Sequence, residues 1–227
     1  MNRIFFVAIA TIGAFGAAPA RAQLTDSSRM SVDTTKRVTD STTKVDSVSE
    51  KPAPVKTNLK DLGTVEGGVS LKADLSQRTL TVMGANGAIR TFNVAVGSPN
   101  YPTPTGSYTI RRIVWNPSWT PPPDAKWAKN QTAKGPGEPG NPMKVAKIFF
   151  KEPDYYIHGT GQINSLGEAE SHGCLRMHPD EVAELAQFLM QNGGQAREEG
   201  WFSRVIHLRK NTHTVTLTQP ISLTVSR

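Results

Sequence analysis

From about residue 65 onward, apolar residues recur at every second position rather than every third or fourth. Val69, Leu71 and Ala73 alternate with polar neighbours, Leu80 and Val82 repeat the pattern, and Phe92, Val94 and Val96 extend it. Period two sends successive side chains to opposite faces, so these runs predict half-buried antiparallel strands. The breaks carry turn chemistry, Ser76-Gln77 in one and Gly84-Ala85-Asn86-Gly87 in the next, where Asn86-Gly87 suits a tight hairpin. Further strands are expected at Ser107–Val114, Lys147–Phe150, Tyr155–His158, Val205–Arg209 and Val215–Val225, the last broken by Pro220.

The spacing changes to that of a helix once. Pro179 and Asp180 suit a first turn, Val182, Leu185, Ala186 and Leu189 share one face, and Asn192-Gly193-Gly194 ends it. Residues 115–143 hold seven Pro and three Gly, which predicts a long surface loop, and its place before the strand that leads to His158 makes it a candidate lid. The sum is a mainly β domain over 65–227 with one short helix.

The first 64 residues read differently. Met1–Ala22 has a short positive start, an apolar run from Ile4 to Ala18 and small residues before Gln23, the pattern of a cleaved secretory signal peptide. Residues 23–64 mix Ser, Thr, Asp and Lys without aromatics, and such a segment buries too little apolar surface to offset chain ordering. It is expected to be a disordered tether. The 227-residue chain carries 26 Lys and Arg against 19 Asp and Glu, a net +7, but the basic residues are scattered and no nucleic-acid motif accompanies them. No apolar run approaches the roughly 20 residues of a spanning helix, so no integral membrane segment is expected after the signal is removed.

One residue stands out chemically. Cys174 is the single cysteine, set in Ser171-His172-Gly173-Cys174-Leu175-Arg176-Met177. A lone thiol in an exported protein is unusual. The preceding glycine permits a sharp turn, and His172, His178 and Arg176 supply positive neighbours expected to lower the thiol pKa. A thiol nucleophile needs a base. His158, ending a predicted strand in Ile157-His158-Gly159-Thr160, is one candidate and His172 is the other; His207 and His213 read as structural. A zinc hydrolase using His158, His172, Cys174 and His178 is a rival reading, although no His-Glu-x-x-His motif is present. A non-catalytic wall-binding module is a second rival.

The upstream His-Gly-Thr and the Ser-His-Gly-Cys-Leu-Arg run resemble the L,D-transpeptidase catalytic domain (YkuD-type) of bacterial cell-wall enzymes. The resemblance spans about residues 67–178. It includes Thr103-Pro104-Thr105-Gly106 after Val94-Ala95-Val96-Gly97, Asn116-Pro117-Ser118-Trp119 with Pro121-Pro122, and Gly140-Asn141-Pro142-Met143. It implies a β-sandwich-like arrangement of curved mixed sheets with a short helix. It also implies Cys174 as nucleophile, His158 as proton donor and acceptor, and the Gly159 carbonyl as the group that orients His158. Backbone N–H groups around His172, Gly173 and Cys174 would form an oxyanion hole, and Ser171, Thr160, His172 and Arg176 would shape the substrate pocket. Neither metal nor cofactor is implied. The implied partners are peptidoglycan stem peptides in the periplasm or cell wall, with a wall-attached protein as a further acceptor, and penem-type β-lactams are implied acylating agents. Beyond Arg197 the chain departs from the pattern, because it lacks the aromatic-rich run with which some relatives end.

Overall fold

Alternation becomes sheet over most of the domain. The computed structural model describes residues 57–227. The expected signal peptide at 1–22 and most of the expected tether at 23–64 lie outside those residues. Eight strands are present: β1 (Ser70–Asp74), β2 (Thr79–Gly84), β3 (Gly87–Asn93), β4 (Gly106–Trp115), β5 (Lys144–Lys151), β6 (Tyr155–Gly159), β7 (Leu175–Met177) and β8 (His213–Ser226). Two helices accompany them, α1 (Pro179–Asn192) and α2 (Glu199–His207). The strands form one mixed sheet in the order β3-β2-β1-β8-β4-β5-β6-β7, parallel only at β1–β8 and β6–β7.

The two edges of this sheet meet. Just beyond β3, Ala95 and Arg176 exchange both backbone hydrogen bonds, at 3.0 and 2.9 Å, and Gly97 bridges Ser171. The mainly β, mixed-sheet expectation is therefore met as one curved sheet closed almost into a barrel, which leaves little unpaired edge. Leu71, Leu80, Phe92, Ile110, Ile148, Ile157 and Leu175 are buried in the core. Helix α1 packs its Val182, Leu185, Ala186 and Leu189 face against β5 and β6, with Pro179 at its start and the His178 Nδ1 accepting the Asp180 N–H at 3.3 Å.

Three expectations need correction. Residues Val205–Arg209 do not form a strand, and the domain has two helices rather than one. Trp201, Phe202 and Val205 lie at helical spacing, and Phe202 packs with buried Trp115 at a ring separation of 5.6 Å. The Asn116 amide then donates to the carbonyls of Val205, Leu208 and Asn211, which ties down the helix end. Pro220 does not break β8. The ladder to β4 skips from Thr216 to Ile221 at a bulge opposite Ile110–Arg112, so the missing N–H of Pro220 costs no ladder bond. The expected boundary at 64 is also too late, because residues just before it are ordered: Leu59 is buried, its N–H donates to Glu184 Oε1 at 2.7 Å, and the Val65 N–H donates to Asn192 Oδ1 at 2.8 Å. Both acceptors belong to α1, so helix and incoming chain order each other.

Candidate active site

Register decides which side chains share the outer face of the sheet. Lys147 on β5 stands opposite His158 on β6, Phe149 stands opposite Tyr156, and His158 lies beside Arg176 on β7. Ile148, Ile157 and Leu175, one position along, point into the core. Cys174 precedes β7 by one residue and falls two before Arg176, on the His158 side. The result is a groove of about 870 Å³ whose lining includes Tyr156, His158, Cys174 and Arg176, with Trp119 and Trp127 from the 115–143 segment. Cys174 keeps part of its surface open to this groove, and its Sγ lies 3.4 Å from the Asp154 carbonyl.

The turn before Cys174 is built by two residues. Gly173 takes φ of +105°, and a Cβ there would meet the Tyr155 ring at 2.8 Å, so only glycine fits. Buried Ser171 donates its hydroxyl to the Cys174 carbonyl and accepts the Gly173 N–H at 3.1 Å. Ser171 thus fastens the turn from within the groove lining, and the Gly173 N–H is engaged by its hydroxyl. Thr160 is buried in the groove wall, where its hydroxyl accepts the Gln162 N–H at 3.1 Å.

The imidazole of His158 is buried, and its Nδ1 lies 2.9 Å from the Gly159 carbonyl. A carbonyl only accepts, so Nδ1 carries the proton and Nε2 keeps its lone pair. Burial drives the ring pKa down to about 3; the Gly159 carbonyl opposes this, while Arg176 and Lys147 add to it. Burial also pushes the Cys174 thiol up to about 11, outweighing the Tyr156 N–H, Lys147 and Arg176, which all favour the thiolate. The sequence-level expectation of a lowered thiol pKa therefore fails, because desolvation exceeds the pull of the positive neighbours. The resting pair is a neutral thiol and a neutral imidazole.

The buried ring also has a consequence for stability. In the unfolded chain an imidazole ionises near 6.5, and in the folded protein His158 does so only near 3. Between those values the unfolded state binds the extra proton, so the contribution is complete above pH 6.5 and is lost as pH falls. The acid slope should reach about 1.4 kcal/mol per pH unit. Urea unfolding at pH 7, 5.5 and 4 should show this slope in the native protein and a flatter one in His158→Gln; equal slopes would contradict the assignment.

His172 is not placed like His158. It is exposed and stacks on Trp127 with ring centroids 3.8 Å apart and an interplanar angle of 16°, with Tyr101 on it at 4.8 Å. It forms groove wall together with the candidate lid. Arg176 donates to Gln162 Oε1 at 2.9 Å and lines the floor. Among the described residues, no three His, Cys, Asp or Glu side chains come together in a metal-binding cluster, so the zinc reading finds no ligand set there.

The family model of the L,D-transpeptidase catalytic domain (YkuD) matches residues 69–210, more than half of the chain. The chain belongs to the L,D-transpeptidase catalytic-domain family. The ORF 5 protein from the ATP synthase subunits region of Fuscovulum blasticum, assigned by name to the L,D-transpeptidases, is 35% identical over 124 residues, covering 53% of this chain and 65% of its own. The YkuD protein of Bacillus subtilis (strain 168), named in the same way, is 30% identical over 123 residues, 54% of this chain and 61% of its own. The chain thus spans a little under two thirds of the length of these relatives. A solved L,D-transpeptidase from Mycobacterium smegmatis has a TM-score of 0.46 at 17% identity, over 70% of this chain and 59% of that one.

In this L,D-transpeptidase domain the structure adds to the sequence-based expectation that Trp115, Trp119, Trp127, Tyr155 and Tyr156 serve packing, with at most one or two in the groove. Trp119, Trp127, Tyr155 and Tyr156 line the groove, whereas Trp115 is fully buried and serves packing alone. Lys147 is the other addition. Its ammonium lies 4.6 Å from the Tyr156 ring centre and donates to the Ser118 carbonyl at 3.0 Å.

Proposed function

We propose that the protein is an exported cysteine acyltransferase of the periplasm or cell wall that acts on peptidoglycan stem peptides. The observation that carries this is the joint presence in one groove of the Cys174 thiol and a buried His158 whose tautomer is fixed by the Gly159 carbonyl. The Cys174 sulfur attacks the carbonyl of the third stem residue, the L-centre of a diamino acid, while His158 Nε2 takes the thiol proton. The tetrahedral oxyanion is held by the His172 and Cys174 N–H groups, since that of Gly173 is engaged; one such donor is worth roughly 2.7–4 kcal/mol. His158 returns the proton to the departing D-Ala amine, and a thioester remains on Cys174. An amine from a second stem then attacks the thioester, His158 accepts its proton, and the thiol is regenerated as a 3→3 cross-link forms. An amine of a wall-bound protein would give attachment instead, and water would give L,D-carboxypeptidase activity. His172 on Trp127 and the Arg176 guanidinium provide the wall and the charge that hold the stem.

Incubation of the full chain with disaccharide tetrapeptide tests this reading. D-Ala release with cross-linked dimer supports it. Release without dimer assigns the carboxypeptidase instead. Sedimentation with purified wall and no release assigns the wall-binding module.

A further inference from the structure

The sheet face that carries His158 also carries a cation that the mechanism above does not use. Lys147 is half-buried on strand β5, directly opposite His158 in the β5–β6 ladder. Its ammonium is held from two sides, by the Ser118 carbonyl at 3.0 Å and by the face of Tyr156 at 4.6 Å. Tyr156 is in turn the neighbour of Cys174, since Ile157 pairs with Leu175 in the parallel β6–β7 ladder. The other charges around it are differently committed. Arg112, from β4, is clamped to Glu152 by two bonds of 2.8 Å and stacked on Phe149 at 3.8 Å. Arg176, from β7, donates to Gln162 and has Glu170 as its acidic neighbour. Asp154, from the turn between β5 and β6, presents its carbonyl to the thiol. Among the described residues Lys147 has no carboxylate partner.

We infer that Lys147 is a positioning residue for the thiol, supplying the positive charge that stabilises the Cys174 thiolate within a groove that otherwise disfavours it. The inference rests on Cys174 being the nucleophile and adds the group that sets its ionisation. An ammonium in such a site gains from a developing negative sulfur, which favours its charge, and loses hydration, which favours release of its proton. Burial lowers Lys147 to about 8, with the Cys174 thiolate acting in the opposite sense and Arg112 in the same sense. The two groups then titrate as a coupled pair. Protonated Lys147 favours the thiolate, and the favour is withdrawn as pH rises past the lysine's own ionisation.

Alkylation of the full chain by iodoacetamide, followed by intact mass from pH 6 to 10, reads thiolate content directly. Lys147→Met should alkylate about tenfold more slowly than native protein at pH 7–8, the effect of one unit in thiol pKa. Lys147→Arg should match the native rate at pH 7 and exceed it above pH 8, because arginine keeps its charge there. Unfolding of a variant would instead speed alkylation at every pH, so the Arg variant separates charge from damage. Coincident profiles for all three proteins would overturn the inference, as would equal slowing in the Met and Arg variants. The stem-peptide assay is independent of this readout: absent D-Ala release with the alkylation shifts intact would sink the transpeptidase reading and leave the role of Lys147 standing.

Discussion

Replacing Cys174 with alanine is expected to reduce D-Ala release by about 10⁶-fold, because loss of an activated nucleophile removes the covalent route itself. The fold should survive. Cys174 is only partly buried, and the turn that holds it is secured by Ser171 and by the conformation of Gly173, neither of which depends on the sulfur. A urea midpoint close to native, together with undetectable turnover, is the expected pair of results. Substantial residual turnover would mean that the reaction does not pass through this thiol. Cys174→Ser should be nearly as inactive, since burial that already pushes the thiol up to about 11 would disfavour an alkoxide still more strongly.

The second large effect is expected at His158. Its loss should lower kcat/KM by about 10²–10⁴-fold, the range of a positioned proton carrier. The pH dependence is the sharper test. Because burial holds the ring near 3, the imidazole stays available as a base throughout the mildly acidic range. The acid limb of kcat/KM in the native protein should therefore lie well below 6.5. A limb near 6.5 would point to an imidazole in ordinary solvent contact and away from the buried His158 ring. His172→Gln should retain the proton chemistry and change KM, since the ring serves as wall against Trp127.

The parts of the site legible in the sequence were those declared by residue type. A single cysteine after glycine, and a histidine at the end of an alternating run, are rare enough to be picked out without a fold. What the sequence could not declare was register. Lys147 stands opposite His158 on one sheet face through the register of the β5–β6 ladder, which shifts at a bulge between Lys144 and Lys147. Without that ladder it reads as one more strand lysine. The direction of the thiol pKa was missed for a related reason: positive neighbours can be counted along the chain, whereas burial is a property of the closed sheet and its covering segment. The same limit explains α2. Val205–Arg209 alternates well enough for a strand, and the helix is chosen by the fit of Phe202 against Trp115 and by the grip of Asn116 on the helix end. The main strands and α1 were visible because their periodicity is local, while the closure through Ala95 and Arg176 joins residues about eighty positions apart.

The most direct test of acyl transfer through Cys174 is intact-protein mass after exposure to a penem-type β-lactam, followed by peptide mapping. The account predicts a single covalent adduct that maps to the peptide containing Cys174 and is absent from Cys174→Ala. An adduct on another residue, or an unchanged mass in a folded protein that still releases D-Ala, would contradict it.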